Sequence, residues 1–165
     1  MVWRSERSRN GGIDEVPVPG VPGRLWLAGK HLVGPDPEQA LERTGAASIV
    51  CLNERHELED RYPAYLHWLR ANPGRAVWWP IPDLHAPPID EVAPLLDDLL
   101  DRLARGEGLL VHCGAGVGRA GTVAAALLVR SGVDVAAALE AVAAHRPMAG
   151  PESDAQRDLV RAAAG

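Results

Sequence analysis

The stretch LLVHC, residues 109 to 113, runs into the glycine-rich segment GAGVG and then, at Arg119, into AGTVAAALLVR, which is apolar nearly all round. An apolar run of strand length, a tight loop and a helix without a polar face admit few folds together. Such a helix must be covered on every side, so it belongs in the middle of the molecule. The strand belongs to a sheet, and the remaining segments supply its neighbours.

RLWLAG (24–29), ASIVCL (47–52) and AVWWPI (76–81) are the other candidates for buried strands, and helical segments separate them. PDPEQALERTG (35–45) has acidic residues near its start and Gly45 at its end, as a short helix does. NERHELEDRYPAYLHWLRANPG is polar and partly helical, with Pro63 limiting any continuous helix. Beyond Asp90, read as an N-cap, Val92, Leu95, Leu96, Leu99, Leu100 and Leu103 share one helical face up to Gly106. DVAAALEAVAAHRP begins on a capping Asp134, and PESDAQRDLVRAAA is a last helix with Pro151 and Glu152 in its first turn. The alternation gives an α/β fold, a mainly parallel sheet of four to five strands flanked by helices. Residues 1–23, with arginines, paired glycines and VPVPGVPG, are expected to be a loose leader, and 24–165 a single domain long enough to bury its own core.

The formal net charge of −5 gives no general attraction to nucleic acid or anionic lipid, so neither is an expected partner and any anionic ligand must be held locally. No apolar stretch approaches the roughly 20 residues of a membrane span. The first residues lack the apolar core of a secretory signal, and Cys51 and Cys113 cannot make a disulfide scaffold, which together predict a reduced, cytoplasmic setting. The chain has no Phe and one Lys against sixteen Arg, a bias that fits GC-rich DNA and a bacterial source.

A cysteine at a strand end, five residues and then an arginine opening a helix have a specific physical use. Gly114, Gly116 and Gly118, with Ala115 and Val117 between them, can turn successive N–H groups inward as a nest for an anion, and the positive end of the following helix points at the same place. Both effects are expected to favour a thiolate at Cys113, because a free cysteine, near ~8.5, can fall to roughly 3.5–7.5 in such surroundings. Arg119 offers a planar fork able to hold two phosphoryl oxygens at once. A core cysteine beside a plain βα turn is the bland alternative, and the glycine-studded Cys-X5-Arg spacing goes beyond it. A nucleotide P-loop is excluded because no Gly-Lys-Ser/Thr ending is present, and the glycine register does not match a dinucleotide loop. No histidine pair has the spacing of a zinc helix and neither cysteine belongs to a C-x-x-C unit, so no metal and no cofactor are expected.

HCGAGVGRAGT (112–122) resembles the signature of the cysteine-dependent protein tyrosine and dual-specificity phosphatases. WPIPDLHAPP (79–88) resembles the general-acid segment of their small members, with Asp83 lying 30 positions ahead of Cys113. RPMAGPESDAQ (146–156) is similar to their later Arg-Pro segment, and CLNER (51–55) to the strand end beside the phosphate loop. The likeness spans residues 24 to 160 and implies a protein tyrosine phosphatase-like fold of compact dual-specificity size. It implies a phosphoric monoester hydrolase working through a phosphocysteine on phosphotyrosine, and on phosphoserine or phosphothreonine, in proteins.

In that reading Cys113 attacks, Arg119 and residues 114–118 bind the phosphoryl group, and Asp83 donates the proton, with Asp90 as its competitor. His112 orders the loop, Gln156 positions the hydrolytic water, and Glu54 is expected to pair with Arg119. Trp78 and Trp79 are expected in the core. Ala120 stands where most members carry Ser or Thr, a feature shared with the phosphatases of regenerating liver and one that predicts slow release of the phosphoenzyme. Cys51 is the candidate redox partner of Cys113. A phosphate-binding pseudophosphatase, a phosphatase of a small phosphorylated metabolite and a sulfurtransferase stay open as alternatives.

Overall fold

The computed structural model describes residues 6–165. Five strands, β1 (Asp14–Val16), β2 (Leu25–Gly29), β3 (Ser48–Cys51), β4 (Ala76–Trp78) and β5 (Leu109–Cys113), form one sheet in the order β1-β2-β5-β3-β4. All pairings are parallel except that of β1 with β2. The apolar run at 109–113 takes the centre, paired on one edge with β2 and on the other with β3.

Side-chain alternation along the strands divides the core in two. Leu25, Leu27, Val50, Leu109, Val111 and Cys113 face one side, and Trp26, Ala28, Ile49, Cys51 and Leu110 the other. The first side is covered by α5 (Ile89–Ala104), α6 (Gly118–Arg130), α7 (Val135–His145) and α8 (Asp154–Ala162). The second carries α2 (Lys30–Val33), α3 (Pro37–Thr44) and α4 (Pro63–Ala71). From Gly118 to Val129 every residue of α6 is buried, which answers the absence of a polar face in its sequence. Gly121 lets this helix approach the chain at Gly150, whose nitrogen would lie 2.3 Å from an added Cβ.

Asp36 caps α3 by accepting from the Gln39 N–H, and Ser153 caps α8 by accepting from that of Gln156, contacts worth about 1 kcal/mol each. The last helix therefore starts at Asp154, after Pro151 and Glu152. Asp90 lies inside the first turn of α5, whose N-cap is Pro88. β4 ends at Trp78 because Pro80 has no N–H to give, although Trp79 and Ile81 still donate to the Cys51 and Leu52 carbonyls. Trp78 and Trp79 are half-buried, packed against opposite faces of the sheet.

The expected loose leader needs correction. Residues 1–5 lie outside the described residues, but Glu6–Asn10 form a short helix, α1, and β1 pairs with β2 from Asp14 to Val16. Three residues are too few to show an alternating pattern, and the prolines at 17, 19 and 22 follow the strand instead of interrupting it. Glu6 holds Arg43 of α3, and Val16 is fully buried.

Candidate active site

β5 delivers Cys113 to the end of the central strand, where its side chain is almost wholly buried. Every carbonyl from Gly114 to Val117 is drawn outward. Gly114 O accepts from Lys30 N (3.0 Å), Ala115 O from Arg146 Nη2 (2.9 Å), and Gly116 O from Arg146 Nε (2.7 Å). Val117 O accepts from the nitrogens of Gly121 and Gly150. Among the described residues no acceptor takes the N–H groups of 114–117. A loop with its carbonyls engaged behind and its amides free in front is a cradle for an oxyanion, and the first turn of α6 adds its positive end. Gly116 makes this bend possible: its φ is +75°, and a Cβ there would lie 2.3 Å from the Ala28 carbonyl oxygen.

Arg119 is clamped from behind. Its Nη1 donates to Glu57 Oε2 and to the Ile81 carbonyl, both at 2.8 Å, and its Nη2 to Glu57 Oε1 at 2.7 Å. Nε is buried and makes no hydrogen bond, with the Asp83 carboxylate 3.6 Å away as its ion-pair partner. Burial alone pushes the Glu57 carboxyl up, but the hydrogen bonds from Arg119 and from the Glu54 backbone outweigh it and bring the group to about 2.

This pairing corrects the expectation for Glu54, whose carboxylate meets His56 Nε2 at 3.1 Å. A 3₁₀ turn over Arg55–Glu57, closed by Glu54 N–H donating to Glu57 Oε2, carries Glu57 and not Glu54 towards Arg119. The sequence motif was in view, and the turn moved the functional carboxylate three positions along.

Behind the loop, His112 Nε2 and the Tyr65 hydroxyl lie 2.6 Å apart, and His112 Nδ1 is 3.3 Å from the Cys113 carbonyl oxygen. Burial, partly opposed by that carbonyl, holds the imidazole at about 4 and hence neutral. Cys51 pairs in register with His112 and shares its face of the sheet, whereas Cys113 points to the other. A disulfide needs Cβ atoms within about 4.5 Å on converging side chains, so the predicted Cys51–Cys113 bridge is not supported by this arrangement. Burial pushes the Cys51 thiol up to about 12, which makes it an inert core group.

A cavity of about 500 Å³ opens over the loop and is lined by Cys113, Gly114, Ala115, Gly118, Arg119 and Asp83. Asp83 is exposed, with Oδ1 3.6 Å from Arg119 Nε, and sits in a turn closed by His85 N–H donating to the Pro82 carbonyl. Gln156 is fully buried and does not line the cavity. Its Oε1 accepts from the Glu152 N–H and its Nε2 donates to the His85 carbonyl, which ties the Asp83 turn to α8. Ala120 brings no hydroxyl to the sulfur, whose recorded donor is the Ala120 N–H at 3.5 Å. Thr122 commits its hydroxyl to the Gly118 carbonyl.

Sequence reasoning passed over Glu57, Arg146 and Lys30. Arg146 lay inside the quoted Arg-Pro segment without a role, and Lys30 carried the one signal of being the only lysine. Among the described residues no group of three metal-ligating side chains is assembled, and no helix is long and apolar enough to cross a membrane.

Residues 21–163 match the family model described as PTP-SAK, Swiss Army Knife protein, DSP-PTPase phosphatase domain. Among solved structures, Tk-PTP in its active form is 25% identical with a TM-score of 0.67, over 90% of this chain and 95% of that one. Kinase associated phosphatase with its catalytic-site cysteine replaced by serine is 23% identical with a TM-score of 0.75, over 90% and 91%. Human DUSP28 is 21% identical with a TM-score of 0.67, over 90% and 91%; these last two are likenesses of fold. No curated protein matches the sequence.

Proposed function

The chain belongs to the PTP-SAK family of DSP-PTPase phosphatase domains, and from that membership we propose that it hydrolyses phosphotyrosine, and phosphoserine or phosphothreonine, in proteins through a phosphocysteine. The observation that carries this reading is the loop around Cys113, with outward carbonyls, free amides and an Arg119 Nε that no hydrogen bond engages.

In the first step the Cys113 sulfur, as a thiolate, attacks phosphorus. The S–P bond forms as the ester P–O bond breaks, and Asp83 gives its proton to the leaving oxygen. Arg119 and the amides of 114–118 hold the three equatorial oxygens as charge spreads over them. In the second step Asp83 takes a proton from water, which attacks phosphorus while the S–P bond breaks and the thiolate departs. A hydroxyl beside sulfur would ease that departure. Ala120 supplies none, so release of phosphate is the slow step.

Hydrolysis of para-nitrophenyl phosphate tests the reading. Turnover should vanish in Cys113→Ser and fall in Asp83→Asn, and the wild type should show a burst equal to the enzyme concentration before the steady rate. Activity surviving Cys113→Ser would end the proposal. A second reading, capture of phosphorylated partners without turnover, draws on Ala120 alone; it requires phosphate to shield Cys113 from alkylation while no product is released.

A further inference from the structure

The cavity lining mixes signs: it holds the carboxylates of Glu57, Asp83 and Glu152, and Lys30 with the adjacent His31 forms one edge of it. β2 pairs with β5 so that Gly29 is level with Cys113, which sets Lys30 beside the start of the phosphate loop. The Lys30 N–H holds the Gly114 carbonyl, fixing the root of the side chain to the loop, and its Nζ lies 3.3 Å from the Glu57 carbonyl oxygen. That carbonyl is the ammonium's single hydrogen-bond partner among the described residues. Nδ1 of His31 is 2.6 Å from the Tyr62 hydroxyl, and the Arg61 guanidinium stacks over the Tyr62 ring at 5.7 Å. The His31 ring is pushed down first by burial, then by the charges of Arg61 and Lys30, which marks this edge as positive. No residue of GAGVG is basic, so the phosphate loop itself has nothing for an anion beyond the one it cradles.

We propose that this edge is a second anion subsite, and that the preferred substrate bears a second phosphoryl group next to the one Cys113 attacks. The Lys30 ammonium receives that group, with the Arg61 guanidinium adding to the positive field and the His31 ring, favoured in its neutral form, lining the edge. The proposal rests on the phosphatase reading above and narrows its substrate to doubly phosphorylated molecules compact enough for a cavity of about 500 Å³. A chain with a net charge of −5 draws such an anion by local design, since its overall field repels it.

Protection of Cys113 from iodoacetate, read by mass spectrometry, tests the subsite without relying on turnover. Orthophosphate fills the loop alone, while pyrophosphate and tripolyphosphate reach beyond it. The condensed phosphates should protect the wild type at concentrations about tenfold lower than orthophosphate does, as a charge-assisted contact warrants. That preference should disappear in Lys30→Met and Lys30→Gln and persist in Lys30→Arg, with melting temperatures recorded for each variant. Equal protection by all three anions, or a preference unchanged in Lys30→Met, removes the subsite and leaves the phosphatase reading standing. Protection by none removes both.

Discussion

Residue by residue, the site separates what side-chain chemistry announces from what backbone geometry decides. That Cys113, Arg119 and Asp83 line one cavity was legible, because the Cys-X5-Arg spacing and the acid segment set few residues at that end of the sheet. Glu57 was not, because a 3₁₀ turn chose it over Glu54. Glu57→Gln should lower kcat/KM by about 10–100-fold through loss of the Arg119 clamp, while Glu54→Gln stays within about twofold; steady-state kinetics on an aryl phosphate decides. Ala120→Ser restores a hydroxyl close to Sγ, and stopped-flow measurement should find a smaller burst and a steady rate several-fold higher. Cys51 faces away from Cys113, so mild peroxide should carry Cys113 to sulfinic acid while Cys51 stays a thiol. A Cys51–Cys113 peptide in the digest would contradict this placement.

Among the elements, the β5–loop–α6 unit follows from sequence almost to the residue, because burial on all sides leaves an all-apolar pattern that has one structural meaning. β1 did not, since its three ion pairs, three backbone pairings and single core residue, Val16, leave no periodic trace. Its Asp14 holds Arg146 Nη1 at 2.9 Å, and Arg146 in turn holds the carbonyls of Ala115 and Gly116. Burial lowers the affinity of Arg146 for its proton, and Asp14 partly restores it. Arg146→Lys keeps the charge and loses the fork, leaving buried carbonyls unpaired. Urea denaturation should report a loss on the order of 3 kcal/mol, and orthophosphate should protect Cys113 less well.

For the whole molecule, alternation of helices and strands disclosed the α/β class and the mainly parallel sheet, whereas the division of the core into two faces needed the register. That division places His112 and Tyr65 on one side and Cys113 on the other. It also sets the acid response. His112 is neutral in the fold down to about pH 4, while in the unfolded chain it protonates near 6.5. Its contribution to stability is therefore complete above pH 6.5 and is lost as pH falls towards 4, about 3 kcal/mol in all. The Glu57 carboxylate adds a second decline, beginning below its ordinary value of 4.5 and finishing near 2. Equilibrium unfolding across this range should show both limbs in the wild type, with the upper one flattened in His112→Gln.

Arg146 and Asp14 stand 132 positions apart along the chain. A polypeptide growing on the ribosome displays Cys113 before the arginine that braces the loop has left the exit tunnel. The proposed chemistry thus waits for that arginine, and a product truncated ahead of it would carry Cys113 without the brace that shapes its surroundings.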